Sequence, residues 1–170
     1  MYANDWYANC MADAVDRPDG SDPLALDRQV CFALVVAARN VVALYRPVLE
    51  PLGLTHPQYL VMLALWERAP LSVKALSGLL QLDPGTLSPL LKRLESAGLV
   101  RRGRDPQDER FLAVDLTEPG RTLRDEALRI PAAVAERLGM STEELAGLHT
   151  ALTRVIAAAT DLSPASPGRN

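Results

Sequence analysis

Apolar positions recur at helical spacing from about Leu26 to Glu50, where Val30, Leu34, Val41, Leu44, Tyr45 and Val48 share a face. Pro51 and Gly53 end that pattern. A second helix announces itself at Thr55-His56-Pro57-Gln58. Thr55 suits an N-cap, Gln58 sits at the reciprocal capping-box position, and Pro57 falls in the first turn, where no amide bond is lost. Tyr59, Leu60, Leu63 and Trp66 follow on one face, and Pro70 closes the helix. Ser72 caps a third helix that ends near Leu80. Asp83-Pro84 then suits the N-cap and first position of a fourth, in which Leu87, Leu90, Leu91 and Leu94 form the inward stripe. Gly98 stops it as a left-handed C-terminal residue. Leu99–Arg104 and Arg110–Leu116 read as two strands around the polar turn Asp105-Pro106-Gln107-Asp108. Two helical stretches close the chain, Glu118–Leu138 with a kink at Pro131, and Thr142–Thr160 behind the capping box Ser141-x-x-Glu144.

This order predicts a mainly α fold with a small β wing: a winged helix-turn-helix over residues 72–120, framed by dimerisation helices at 26–50 and 118–160. Together they form one domain over residues 24–162. Residues 1–23, rich in Asp, Pro and Gly, read as a mobile acidic arm, and residues 163–170 as a disordered tail.

Composition narrows the function. The 170 residues are 48% hydrophobic but only 5% aromatic, enough for a helical core and poor in strand formers. No apolar run reaches the ~18 residues needed to cross a bilayer. The N-terminus has neither a basic start nor an apolar core, so a cytoplasmic protein is expected. The net charge of −3 at first argues against a DNA ligand. Its distribution argues otherwise: residues 1–23 carry five aspartates against Arg17, a local −4, whereas residues 84–104 carry Lys92, Arg93, Arg101, Arg102 and Arg104 against Glu95, a local +4. Attraction to DNA depends on the local patch.

Within that patch Thr86, Ser88, Lys92 and Arg93 lie off the leucine stripe, where hydroxyls reach base edges or phosphates and longer cations reach phosphates or guanine. Pro89 forfeits the helical bond to the Gly85 carbonyl if the helix starts at Pro84. Arg102 and Arg104 belong to the first wing strand. Arg110 near the wing tip suits the minor groove, with Asp108 placed to hold it. Against this stands a plain helical bundle with a hairpin and a solvated charged face.

Cys31 carries two readings. One is a small apolar core residue. The other is a redox sensor, since a helix N-terminus favours the thiolate that peroxides attack. Residues 29–120 resemble the MarR family of transcriptional regulators, and within it the organic-hydroperoxide-sensing OhrR branch of one-cysteine type. The shared motifs are Gln29-Val30-Cys31-Phe32-Ala33-Leu34, Leu44-Tyr45-Arg46-Pro47, Leu54-Thr55-His56-Pro57-Gln58-Tyr59-Leu60, LDPGTLSPLLKRLESAGLV and DERFLAVDLTEPG. The resemblance implies a repressor whose Cys31 is oxidised by an organic hydroperoxide, which then releases DNA and completes its chemistry with a low-molecular-weight thiol. It also implies two tyrosines against the thiol. Tyr45 is one, but His56 stands at the other position, and Pro84 stands where the branch often has Ser.

Spacing adds a constraint of its own. Cys31 and Tyr45 are fourteen residues apart on what reads as one helix, about 21 Å at ~1.5 Å per residue, so a contact between them must cross subunits. A homodimer also matches a pseudo-palindromic double-stranded operator with half-sites ~34 Å apart. His56 is a candidate donor to the partner's thiol, with a solvated first-turn residue as the alternative. Cys10, in the arm, reads as a spare thiol. No cofactor, metal or membrane partner and no enzymatic turnover are expected. The rivals are a MarR-type repressor released by a small phenolic ligand with Cys31 structural, a thiol peroxidase, and an interaction module that does not bind DNA.

Overall fold

The computed structural model describes residues 22, 24–104 and 112–161, without the side chains of Arg104, Leu112 and Asp161. The expectations for the arm with Cys10, for Asp108 and Arg110, and for the tail therefore lie outside the described residues. The chain divides into two compact units, residues 1–45 and 46–170, with the boundary inside the first long helix.

A 3-10 turn at Leu26–Arg28 leads into α1, Val30–Leu49. Its apolar stripe explains the helix, and a 3-10 turn at Glu50–Leu52 with Gly53 at φ 66° ends it, a left-handed conformation that glycine adopts without Cβ strain. By length and composition alone Val30–Leu52 is apolar enough to cross a membrane, at a mean hydropathy of 1.5. Arg39, Asn40 and Arg46 interrupt it, so it contains no unbroken apolar run of that length. Little of that segment is buried: Val30, Val35 and Val42 are exposed, and Leu49 alone is fully enclosed within α1.

In the second unit the elements follow in the order α2 His56–Arg68, β1 Leu71–Ser72, α3 Val73–Leu80, α4 Pro84–Ser96, β2 Val100–Arg104, β3 Leu112–Leu116, α5 Glu118–Ala127, α6 Ile130–Leu138 and α7 Thr142–Asp161. The capping signals are present as side-chain bonds. Gln58 Oε1 accepts from the Thr55 amide at 2.9 Å and hydroxyl at 2.8 Å, Ser72 Oγ from the Ala75 amide at 3.1 Å, and Asp83 Oδ1 from the Thr86 amide at 2.9 Å. At α7 the Ser141 amide donates to Glu144 Oε2 at 2.7 Å.

Two elements differ from the sequence reading. The sheet has three strands, in the antiparallel order β1-β3-β2, because Leu71 and Ser72 pair with Val114 and Ala113. The stretch Glu118–Leu138 is two helices rather than one kinked helix. Pro131 has no amide to give the Ala127 carbonyl, and α5 ends at Ala127.

The core of this unit joins Val61, Met62 and Leu65 of α2 to Leu76 of α3, Leu87, Leu91 and Leu94 of α4, and Val100 and Val114 of the sheet, all 0–2% exposed. Each such side chain contributes about 1.5–3 kcal/mol on burial. This core sets the angle at which α4 leaves the surface. A longer-range tie fastens the wing base. Trp66 Nε1 donates to the Gly120 carbonyl at 2.8 Å, Thr117 N donates to Leu99 O at 3.1 Å, and the Thr117 hydroxyl reaches Gly98 O.

Candidate nucleic-acid interface

Helices α3 and α4 are joined at Gln81, Leu82 and Asp83, with Gln81 in the left-handed region at φ 51°. That geometry turns the chain within three residues and brings α4 out with its leucine stripe inward. Thr86, Ser88, Lys92 and Arg93 are all exposed, as the sequence expected. Thr86 is not a free hydroxyl, however: its Oγ1 donates to Asp83 Oδ2 at 2.6 Å. Hydrogen bonds from the Thr86 hydroxyl and amide hold the Asp83 carboxyl below the ordinary carboxylate range, so the cap is anionic at neutral pH.

The wing cations divide. Arg102 Nε lies 3.3 Å from Glu95 Oε2, which anchors that guanidinium to the end of α4. Arg104 lies on β2, and its side chain is outside the described residues. Across the β2–β3 pair, Arg101 donates to Asp115 Oδ2 at 2.6 Å, and Arg121 approaches the same carboxylate at 3.4 Å while donating to Leu116 O at 3.1 Å. Burial pushes Asp115 upward, but the bonds from Arg101 and the Leu116 amide and the two positive charges outweigh it and hold the carboxyl low. Two arginines on one carboxylate leave this wing base net positive. Sequence reasoning missed the cluster because Arg101 and Asp115 are directly opposite only in the strand register. Lys74, exposed in the first turn of α3 two residues after its cap, was also missed. A cation beside the cap of the first helix was the available signal.

Cys31 is the second residue of α1 and is exposed on the single chain. Tyr45 lies fourteen residues further along the same continuous helix, about 21 Å away at ~1.5 Å per residue, so the two do not meet within one chain. Burial raises the Tyr45 pKa, which keeps the phenol protonated and a hydrogen-bond donor. His56 is the first residue of α2, half-buried, and burial lowers its pKa.

That shift has a measurable consequence. A histidine whose folded pKa is depressed contributes stability above its unfolded pKa near 6.5, lost as pH falls toward and through the folded value. The melting-temperature difference between the wild type and His56→Gln is therefore expected to move against the wild type between about pH 7 and 5. The carboxylates common to both proteins cancel in that difference, and a pH-independent difference would contradict the assignment.

The second unit also has an open apolar cavity of about 600 Å³ on its surface, lined among others by Tyr59, Leu63, Trp66, Leu80 and Leu128, with Glu67 and Arg124 as its charged members. Tyr59 and Trp66 meet edge-to-face there, with ring centroids 6.3 Å apart.

Comparison with known proteins places these features in context. The MarR family model matches residues 54–111. The organic hydroperoxide resistance transcriptional regulator of Bacillus subtilis (strain 168) is 42% identical over 131 residues, which cover 77% of this chain and 89% of that one. The structure of reduced AbfR bound to DNA superposes with a TM-score of 0.65 at 30% identity, over 79% of this chain and 94% of that one. CouR from Rhodococcus jostii RHA1, bound to p-coumaroyl-CoA, superposes with a TM-score of 0.68 at 29% identity, over 79% of this chain and 95% of that one.

Proposed function

The chain belongs to the MarR family of DNA-binding transcriptional regulators, and we propose that it is a homodimeric repressor released from its operator by organic hydroperoxides through oxidation of Cys31. The observation that carries the sensing half is the placement of Cys31: an exposed thiol at the start of a largely unburied apolar helix, whose only plausible Tyr45 partner belongs to a second copy. Val35 and Val42 of α1 are exposed in the first unit, and Leu148, Val155 and Ile156 of α7 are exposed in the second, so each unit separately offers apolar side chains that a second copy would cover.

The chemistry balances without a cofactor. The Cys31 thiolate attacks the terminal oxygen of the hydroperoxide, the O–O bond breaks, the alkoxide leaves as the alcohol after taking a proton, and the sulfur becomes a sulfenic acid. A low-molecular-weight thiol then condenses with the sulfenic acid, forming a mixed disulfide and expelling water. The added bulk parts Cys31 from the partner subunit's Tyr45. The two α4 helices lose the ~34 Å spacing that adjacent half-sites require. A tenfold loss of affinity requires only ~1.4 kcal/mol, so a small interface change suffices. In this scheme Ser88, Lys92 and Arg93 of α4 meet the major groove, and Arg102, Arg104 and Arg110, with Asp108 beside the last, belong to the wing's contacts.

A second reading has its own observation. The apolar cavity beside Tyr59 and Trp66 is of ligand size, and CouR holds p-coumaroyl-CoA. One gel-shift experiment on a fragment of the protein's own promoter separates the two. Cumene hydroperoxide is expected to release the wild type and to leave Cys31→Ser bound. If Cys31→Ser is released as readily as the wild type, oxidation of Cys31 is not the trigger. Release of both proteins by a phenolic acid without oxidant would favour the cavity.

A further inference from the structure

The open cavity on the second unit has a charge at its edge that the described residues do not balance. Arg124 lines it from α5, four residues after Gly120 and three before Ala127, so it shares the helix face that those two buried residues turn inward. Among the described residues no carboxylate pairs with its guanidinium and no side-chain hydrogen bond holds it. Glu67 lines the same groove, yet its carboxylate is taken by Arg68 at 2.9 Å. The body of the groove is apolar. Among the described residues of the second unit outside α7, the exposed large apolar side chains are Leu63, Leu79 and Leu128, and all three line it. Exposed leucines scattered singly need no explanation, but leucines that converge on one cavity mark a binding surface.

An apolar floor with an unpaired cation at its edge selects an anion with an apolar body. A carboxylate matches the planar fork of a guanidinium with two parallel hydrogen bonds, and the nearby Glu67 disfavours a dianion. Trp66 joins the groove to the wing. Its ring meets Tyr59 edge-to-face in the groove, while its Nε1 donates to the Gly120 carbonyl at 2.8 Å at the wing base. Arg124 lies one turn of α5 beyond Gly120, so the anion's anchor and that hydrogen bond occupy adjacent turns of one helix.

We propose that this groove binds a monocarboxylate with an apolar body, anchored by Arg124, and that its occupancy is passed to the wing through the Trp66–Gly120 hydrogen bond. Only the coupling rests on the reading of the protein as an operator-bound repressor, and neither half requires oxidation of Cys31. A ligand against the Trp66 ring pulls on its N–H, and the wing base moves with the Gly120 carbonyl.

Calorimetric titration of the reduced, full-length protein compares octanoate with 1-octanol, which has the same chain and no charge. Octanoate is expected to bind about tenfold more tightly. Arg124→Gln should reduce that preference to about onefold, and Arg124→Lys should restore part of it. Leu63→Gln should weaken both probes alike. An equal preference in the wild type and Arg124→Gln overturns the anchor. If neither probe binds, the proposal falls, and a dimer that Leu128→Glu turns into a monomer would then assign the groove to a second copy. The coupling is read by gel shift on a fragment of the protein's own promoter, without peroxide. Saturating octanoate is expected to weaken binding about fivefold in the wild type. Trp66→Phe keeps an aromatic ring but lacks the N–H, and its operator affinity should not respond. A Trp66→Phe protein that responds as the wild type does removes that hydrogen bond as the link. Failure to bind the promoter fragment even without octanoate overturns the operator reading instead, while the titrations still decide the site.

Discussion

Gly120→Ala is expected to lower the melting temperature by roughly 10 °C, because among the described glycines an added Cβ makes its tightest approach here. A Cβ at Gly120 would fall well inside contact distance of the Leu99 carbonyl oxygen and within 3.4 Å of Leu116 Cδ2. The obstacle is backbone, not the far end of a flexible side chain. The Leu99 carbonyl already accepts from Thr117 N at 3.1 Å, and the Gly120 carbonyl accepts from Trp66 Nε1 at 2.8 Å. Relief of the clash therefore pulls on both bonds. Overpacking costs about 1–3 kcal/mol and each displaced hydrogen bond about 1 kcal/mol more. A total of ~3–5 kcal/mol corresponds to roughly 10 °C for a domain of this size. Trp66→Phe, which loses one of the bonds without the clash, should show about a quarter of the effect. A Gly120→Ala protein that melts within 2 °C of the wild type, an order-of-magnitude bound from the same scaling, would show that the wing base yields freely.

The location of this weak point explains what the sequence made legible and what it concealed. Helix starts were readable because a cap is a bond between residues three apart: Thr55 with Gln58, Ser72 with Ala75, Asp83 with Thr86 and Ser141 with Glu144 all form as spaced. The leucine stripe of α4 was readable for the same reason, since its period follows from helix geometry alone. The tie from Trp66 to Gly120 spans 54 residues, and no local pattern encodes it. Strand β1 is two residues long, too short to show alternation, and it exists because β3 offers a free edge. The break between α5 and α6 was half legible: Pro131 marked it, but whether a proline kinks or divides a helix depends on what the flanking turns pack against, and Ala127 and Ile130 are both buried.

The same division runs through the interface. The exposed positions of α4 followed from its period, yet the state of each charge did not. Arg102 is drawn to Glu95, Arg101 and Arg121 to Asp115, and Thr86 to Asp83. Strand register sets the Arg101 pair and cap geometry the Thr86 pair, while the Arg102 and Arg121 pairs depend on how α4 and α5 pack against the sheet. Surface pairs of this kind contribute little to stability, about 0–1 kcal/mol. Their effect is on availability, because a guanidinium held by a carboxylate must leave it, or share it, to meet a phosphate.

Lys92 and Arg93 are thereby expected to dominate the electrostatic affinity, and removing both should weaken operator binding about a thousandfold near ~0.15 M salt. Both are exposed on α4, opposite its leucine stripe. In a dimer the double substitution Lys92→Ala/Arg93→Ala removes two phosphate contacts from each half-site. Each contact contributes about 0.9 to the slope of log affinity against log salt, so the slope should become shallower by roughly 3–4. Stability should change by no more than about 0.5 kcal/mol, because neither side chain is buried. Arg102→Ala provides the internal comparison: its guanidinium is held by Glu95, and its loss should move the slope by less than one contact's worth, ~0.9. Binding isotherms at four or five salt concentrations read both quantities together. An unchanged slope in the double variant would remove α4 from the phosphate backbone. A lost affinity with an unchanged slope would instead place these cations on guanine edges, where the contribution is directional rather than ionic. The two outcomes assign the affinity either to charge on α4 or to directional contacts with base edges.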